Sequence, residues 1–126
     1  MTEPLMDPDI GEKWVAALES GDYEQGKLRL RQKEEFCCLG VLCDLYIWET
    51  GRGEWRPEAA GYAFHSASST VLTVLPAEVM VWAGMSNGGH YGEMANLASD
   101  NDNGKTFVEI AKIIRREFLG QDMRDE

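Results

Sequence analysis

A chain of 126 residues, 44% of them hydrophobic, has the length and apolar content of one folded domain with a single core, and is too apolar for a disordered chain. Its net charge of −10 argues against a general nucleic-acid-binding protein, which needs positive surface to displace counterions. The longest apolar run, residues 36–48, falls short of the roughly 20 residues of a membrane span, and no apolar signal segment is present, so we expect a soluble cytoplasmic protein.

The first half of the chain predicts a helix, a strand and a second helix. Asp7 or Asp9 can cap a helix that ends near Gly21, a residue suited to a left-handed stop. Strict alternation of polar and apolar residues in KLRLRQKEEF, residues 27–36, is typical of a strand. The apolar segment that follows predicts a second helix, which Gly51 ends.

The region after the second helix is rich in turn residues and predicts short strands at residues 61–65 and 70–74. A short third helix begins after Pro76 and stops at Gly84. The glycine-rich stretch MSNGGHYGE, residues 85–93, predicts a flexible loop.

The last helix has the clearest signal. Thr106 and Glu109 form a T-x-x-E capping box after the polar turn SDNDNGK, and Gly120 closes the helix. An apolar stripe predicts its buried face: Phe107, Ile110, Ala111, Ile114 and Phe118. With residues 1–7 and 121–126 as frayed tails, the sequence predicts one α+β domain, residues 1–126, of about four helices packed on a small antiparallel sheet.

Three cysteines within seven residues, Cys37, Cys38 and Cys43, allow three interpretations. A zinc site needs about four ligands, but adjacent cysteines point about 100° apart on a helix and only His65 and His90 could assist. A catalytic thiol would be activated by a helix N-terminus and a histidine base. Core packing explains the segment best, because Asp44 is the lone charge between residues 36 and 48. We therefore expect no metal, no cofactor and no catalytic residue.

Two residues of the second helix are unusual in an apolar segment. Gly40 lowers helix stability by about 1 kcal/mol relative to alanine, which suggests that another element crosses closely at that point. Asp44 must reach water, a base or backbone donors, because an unpaired buried charge is costly. Three interpretations of Asp44 stay open: a solvated helix edge, a buried structural pair, or a ligand contact.

A cluster of four bases in residues 27–33 stands out in an otherwise acidic chain. If the segment is a strand, its cations project from one face about 6.5–7 Å apart, a row able to hold a phosphate or carboxylate; they are Lys27, Arg29, Arg31 and Lys33. The alternative is a charged sheet edge that prevents aggregation, or a row that nearby glutamates neutralise.

Aromatic and loop residues could complete such a ligand site. Trp55 lies beside Arg52 and Arg56 and could stack on a flat ligand, although packing is the favoured interpretation. His90 and Tyr91 lie in the predicted flexible loop, where they are either ligand contacts or exposed loop residues.

Four sequence blocks spanning roughly residues 13–114 occur in a familiar order: KWVAALESGDYEQGKLRL, FCCLGVLCDL, LPAEVMVWAGM and GKTFVEIAKII. In these blocks the chain resembles small proteins encoded by bacteriophages and prophages. The resemblance implies a bacteriophage accessory protein in the host cytoplasm. Such proteins commonly antagonise host defences, either by sequestering a signalling molecule or by blocking a host protein.

Three functional hypotheses follow. The first is a non-enzymatic counter-defence protein that binds a small anionic, nucleotide-derived host signal through Lys27, Arg29, Arg31 and Trp55. The second is an acidic protein-binding inhibitor or DNA mimic, suggested by the excess of acids at both ends of the chain. The third is a cysteine-dependent enzyme. A homodimer is compatible with the first, since small binding proteins often complete a pocket across a symmetry axis.

Overall fold

A computed structural model describes residues 5–59, 61–67 and 69–121. In these residues the helices are α1 (Pro8–Ser20), α2 (Cys38–Thr50), α3 (Ala77–Ala83), α4 (Leu97–Asp102) and α5 (Phe107–Ile113), which continues into a π-helical turn at Ile114–Phe118. The strands are β1 (Glu24–Gln25), β2 (Arg31–Gln32), β3 (Glu35–Phe36), β4 (Glu54–Glu58), β5 (Gly61–His65), β6 (Thr70–Val71), β7 (His90–Tyr91) and β8 (Ala95–Asn96).

The strands form two small, mainly antiparallel sheets. The larger has the order β1-β3-β2-β5-β4, and β6 also pairs with β5. Among the strands of the described residues, only β1 and β3 run parallel, while β7 and β8 form a separate antiparallel pair. Together with the helices they make a mixed α+β domain, which confirms the predicted fold class.

The predicted helix boundaries are confirmed by their caps. The Asp7 carboxylate accepts hydrogen bonds from the amides of Asp9 and Ile10, and Gly21 ends α1 in the left-handed conformation. Thr106 and Glu109 form the complete capping box of α5. All five residues of its predicted apolar stripe are buried.

Helix α2 is the centre of the domain. Its residues from Cys38 to Cys43 and Tyr46 are buried, and the indole nitrogen of Trp14 in α1 donates a hydrogen bond to the Cys38 carbonyl at 2.9 Å. A Cβ atom at Gly40 would overlap the carbonyl oxygen of Leu30 and stand 2.7 Å from its carbonyl carbon. The close crossing that the glycine predicted is therefore confirmed, and the crossing element is the segment before β2.

The continuous strand predicted for residues 27–36 is wrong. Leu28 and Lys33 adopt left-handed backbone angles, with φ of 73° and 51°, which interrupt the alternation of side chains. The backbone instead bonds to other elements: the Leu28 amide donates to Asp102 Oδ1 at 2.8 Å, and the Leu30 amide donates to the Leu72 carbonyl at 2.9 Å. Leu28 is 69% exposed whereas Leu30 is fully buried, so the segment has no single cationic face.

Other local predictions need correction. The strand predicted at residues 70–74 is confined to β6, and strand β4 lies in a region predicted to be turns. The predicted loop 85–93 contains β7, because Asn87 Oδ1 accepts from the amides of Gly89 and His90 and folds the chain back. The predicted polar turn before Thr106 contains helix α4.

The N-terminal residues that the structure describes are held in place. Met6 is buried, the Leu5 amide donates to the Phe118 carbonyl at 2.7 Å, and the Asp7 amide donates to the Ala83 carbonyl at 2.7 Å. The predicted fraying of residues 5–7 is thus replaced by contacts with the chain's last helical turn and α3. The rest of the predicted tails, residues 1–4 and 122–126, lies outside the described residues.

Candidate functional site

The three cysteines belong to the interior. All three are free and buried, and burial raises the pKa of the Cys37 thiol to about 11. The pKa values of Cys38 and Cys43 are also raised, with burial as the largest cause. A thiol held protonated and away from water is neither a nucleophile nor a metal ligand at neutral pH. The core-packing interpretation is confirmed.

Arg31 lies at the centre of an aromatic cluster on one face of the larger sheet. Its guanidinium carbon stands 4.1 Å from the ring centre of Tyr62, 5.0 Å from that of Phe36 and 5.7 Å from that of Trp55. Its Nε donates to the Lys33 carbonyl at 2.6 Å. The structure therefore brings together Arg31 and Trp55, two of the predicted site residues, but it uses the arginine to hold neighbouring strands through cation–π contacts.

Asp44 projects from α2 toward the same cluster. Its Oδ2 accepts from the Tyr23 hydroxyl at 2.6 Å, and its Oδ1 accepts from the Trp55 indole nitrogen at 3.0 Å. Burial, followed by the hydrogen bond to Asp44, raises the pKa of Tyr23. The carboxylate thus links α2 to the loop after α1 and to β4, which matches the structural-pair interpretation with neutral partners in place of a base.

A cleft of about 510 Å³ opens beside Arg31 and Asp44. We call it the aromatic cleft; it is lined by Asp22, Tyr23, Glu24, Arg31, Glu34, Phe36 and Asp44. Four of these residues carry carboxylates and one carries a positive charge. Arg31 is 3.7 Å from the Glu34 carboxylate, so its charge is partly balanced within the cleft.

A second cleft of about 750 Å³ lies between the β2–β3 turn and the β4–β5 hairpin. We call it the hairpin cleft; it is lined by Glu24, Gln32, Lys33, Glu34, Glu35, Pro57, Glu58, Ala59, Gly61 and Tyr62. Here Glu24 of β1 lies directly opposite Glu35 of β3. Like charges in this arrangement are destabilising, and within the described residues neither glutamate forms an ion pair.

The two clefts share Glu24 and Glu34 and so form one continuous region. We call it the acidic face, defined by six carboxylates: Asp22, Glu24, Glu34, Glu35, Asp44 and Glu58. Only Arg31 and Lys33 oppose them among the lining residues, so four negative charges remain unmatched. Arg31 and Lys33, two of the four bases of residues 27–33, thus lie within a negatively charged surface, which attracts cations and repels anions.

The other predicted ligand residues are dispersed. Lys27 is exposed and lines neither cleft, whereas Arg29 is partly buried and its Nη1 has no hydrogen-bond partner in the described part of the chain. His90 is exposed in β7. Tyr91 donates a short hydrogen bond to Asp100, packs edge-on against Phe118, and has its pKa raised to about 12, chiefly by burial.

One polar centre was missed in the sequence. Asn101 in α4 is fully buried; its Oδ1 accepts from Gln25 Nε2 at 3.0 Å and from the Cys38 amide at 3.2 Å, while its Nδ2 donates to the Gly26 carbonyl at 2.7 Å. The side chain therefore fixes β1 against the start of α2. Its neighbours in SDNDNGK are polar as well, so no local pattern distinguishes Asn101 from a turn residue.

No group of three or more histidine, cysteine, aspartate or glutamate side chains in residues 5–59, 61–67 and 69–121 has the arrangement of a metal site. None of the helices in the same ranges combines the length and hydropathy needed to cross a bilayer.

A family model described as "Domain of unknown function (DUF8296)" matches residues 6–118, which covers both clefts and all five helices. No curated protein and no solved structure matches the chain. The family description carries no activity, so a functional conclusion has to be drawn from the acidic face.

Proposed function

The chain belongs to the DUF8296 domain family. We propose that it is a non-catalytic binding protein whose acidic face binds a basic segment of another protein. In the bacteriophage setting that the sequence resemblance implies, the partner is a host protein that the bound chain inhibits. The observation that carries the proposal is the set of six carboxylates around two adjoining clefts, opposed by two cations.

The energetic reason is the direct opposition of Glu24 and Glu35. Folding places these like charges side by side without an ion pair among the described residues, and a cationic partner relieves the resulting repulsion. Complementary charge also steers association and raises its rate, especially at low ionic strength. A surface of this kind suits a protein that captures basic targets.

Fluorescence anisotropy with a dye-labelled arginine–glycine repeat peptide tests the proposal. Replacing Glu24 and Glu35 by glutamine removes two charges from the acidic face. We expect the Kd to rise about tenfold, since two exposed ion pairs of about 0.7 kcal/mol each together contribute about 1.4 kcal/mol. Raising the salt concentration should weaken binding of the native protein and narrow this difference.

The matched control replaces Glu93 and Glu117 by glutamine, because this pair carries the same charge and lines neither cleft. The control should keep the native Kd within about twofold. Equal weakening by both pairs would mean that only net charge matters, and an unchanged Kd in the Glu24/Glu35 variant would contradict the proposed face.

A second candidate is the binding of a small anionic ligand, such as a nucleotide-derived host signal, and Arg29 supports it. Its buried Nη1 has no hydrogen-bond partner among the described residues. A buried charged donor without an acceptor is costly, and a phosphate or carboxylate would satisfy it. Lys27 and Arg29 would then form the site, whereas Arg31, Trp55 and Tyr91 already have partners within the fold and His90 is exposed in β7.

Thermal unfolding with a panel of mono- and cyclic nucleotides tests this candidate. A ligand at a hundred times its Kd stabilises the native protein by about 2.7 kcal/mol. The stabilisation should disappear in Arg29→Gln and persist in Arg52→Gln, whose side chain is exposed. The candidate would be contradicted if a nucleotide stabilised both variants equally. It would also be contradicted if no nucleotide stabilised the native protein.

A further inference from the structure

Trp48 is an exposed aromatic residue near the C-terminal end of α2, a helix whose first six residues are buried. Its relative exposure is 79%, whereas the preceding residues of α2 from Cys38 to Cys43 are buried. Tryptophan is highly buried on average, so an exposed indole on a rigid helix is unusual. None of the ring–ring contacts within the described residues involves Trp48.

The position of Trp48 connects it with the acidic face. It follows Asp44 by four residues on α2, and side chains at this spacing are neighbours on one helix face, with Cβ atoms about 5–6 Å apart. Asp44 lines the aromatic cleft. Trp48 itself lines neither cleft, but it lies one helical turn beyond Asp44, a lining residue of a cleft whose carboxylates outnumber its single cation.

We infer that Trp48 is the apolar anchor of the acidic face, and that its partner is a basic peptide segment in which a cationic side chain lies next to an apolar one. The cation enters the aromatic cleft toward Asp44 and Glu34, and the apolar side chain covers the Trp48 ring. This inference rests on the proposed function and adds the hydrophobic half of the partner's chemistry.

Both the exposed indole and the charge around it favour a partner that is basic and partly apolar. Tryptophan is enriched among the residues that contribute most binding energy at interfaces, because covering its ring removes a large apolar area from water. The charge around the indole then determines the kind of partner: the six carboxylates of the acidic face favour a segment rich in arginine or lysine.

A second copy of the chain fits this surface poorly. Each copy carries a net charge of −10, and a two-fold axis through the acidic face would bring identical carboxylates together. Like-charge contact at an interface is unfavourable. A partner of opposite charge avoids this repulsion.

The test compares two dye-labelled peptides of equal length and charge, an arginine–glycine repeat and an arginine–leucine repeat. The native protein should bind the arginine–leucine peptide about tenfold more tightly, as expected when an apolar side chain covers an interface tryptophan. Trp48→Ala should abolish this preference and leave the affinity for the arginine–glycine peptide unchanged. Val81→Ala is the matched control, because Val81 is 81% exposed on α3, a helix that contributes no residue to either cleft.

The outcomes separate the inference from the function on which it rests. Loss of the preference in Trp48→Ala but not in Val81→Ala supports the anchor. Equal binding of both peptides by the native protein, or a preference that survives Trp48→Ala, overturns the anchor and leaves the acidic binding face intact. Failure of both peptides to bind overturns the proposed function as well. Sedimentation velocity completes the test: a native dimer that Trp48→Ala makes monomeric would assign the indole to a second copy and overturn the inference.

Discussion

Helix α2 and the irregular segment at residues 22–36 pack against each other and differ in how their structure is determined. The burial of α2 follows from its own composition, since nearly every side chain from Cys38 to Cys43 is apolar. The segment takes its path from residues far along the chain: the Leu28 amide bonds to Asp102 and the Leu30 amide to Leu72. A buried helix can therefore be predicted from its own residues, whereas the path of an irregular surface segment can be predicted only when its tertiary contacts are known.

The difference also separates scaffold from function. The three cysteines at and within α2 are buried, and burial raises their thiol pKa values, so the most distinctive motif in the sequence has a packing role. The irregular segment supplies most of the carboxylates of the acidic face and the arginine at its centre. Four substitutions at the junction of the two regions test this division, in decreasing order of expected effect.

Asn101→Ala should have the largest effect, because one side chain holds both regions. Its loss leaves the Cys38 amide and the Gly26 carbonyl without their partners. Each buried polar group left unsatisfied costs about 1–3 kcal/mol, so we expect urea unfolding to show a loss of about 4 kcal/mol. Asn103→Ala, a neighbouring exposed residue, should change stability by less than about 0.5 kcal/mol. Similar values for the two variants would contradict the role of Asn101.

Gly40→Ala tests how closely the two regions approach. The added methyl group would overlap the Leu30 carbonyl, a backbone group that cannot move without disturbing the segment before β2. Overpacking of this kind costs about 3 kcal/mol, measured as a fall in unfolding free energy.

Gly51→Ala is the control for the same helix. A Cβ atom at Gly51 would have no neighbouring atom within 4 Å, so only the left-handed backbone, with φ of 72°, opposes the change. That conformation costs a residue with a Cβ atom about 1 kcal/mol. If Gly40→Ala were as stable as Gly51→Ala, α2 and the segment before β2 could not be as close at Gly40 as the structure shows.

Asp44→Asn weakens the polar link between the regions while preserving its shape. One of the two donors, Tyr23 or Trp55, then faces an amide group that cannot accept its hydrogen bond. We expect a loss of about 1.5 kcal/mol in chemical unfolding. Asp22→Asn lies in the same cleft, and no hydrogen bond of its carboxylate is found within the described residues. A loss in the Asp22 variant equal to that of Asp44→Asn would indicate a general charge effect.

Tyr23→Phe should have the smallest effect on the free energy of unfolding, and this effect depends on pH. The pKa of Tyr23 in the folded protein is raised above the ordinary 10.0. The stability that this raised pKa contributes is therefore complete at pH values below the ordinary tyrosine pKa. It is lost as the pH rises through the pKa of Tyr23 in the folded protein. Unfolding free energies of native protein and Tyr23→Phe, compared at about pH 8 and about pH 10.5, should show a steeper decline with pH for the native protein. Parallel declines would contradict the raised pKa.

Much of the fold could be predicted from the sequence, and the failures have definite physical causes. The caps at Asp7 and Thr106 are encoded locally, within three residues, and both were identified. The alternation in residues 27–36 was misleading because Leu28 and Lys33 adopt left-handed backbone angles, and the Leu28 amide bonds to Asp102, far outside the segment. Two-residue strands such as β7 have no sequence periodicity of their own, since their pairing depends on a turn and a partner strand.

The candidate site was only partly predictable. Arg31 and Trp55 were identified, and the structure brings them into contact. The sequence placed them in an anionic ligand site because it showed four neighbouring bases. Neutralisation of the bases by nearby glutamates was one open alternative, but the sequence could not show that Asp44 of α2 lies in the same cleft as Arg31, or that Glu58 of β4 lies in the adjoining one.

The most direct measurement is a ¹⁵N-resolved NMR titration of the native protein with the arginine–leucine peptide. The account predicts that the perturbed backbone amides fall within residues 22–24, 31–36 and 44–48. The indole N–H signals of Trp48 and Trp55 should shift with the same saturation curve, because both side chains adjoin Asp44. Perturbation confined to the β7–β8 hairpin and Lys27, with the acidic face unchanged, would contradict the central claim.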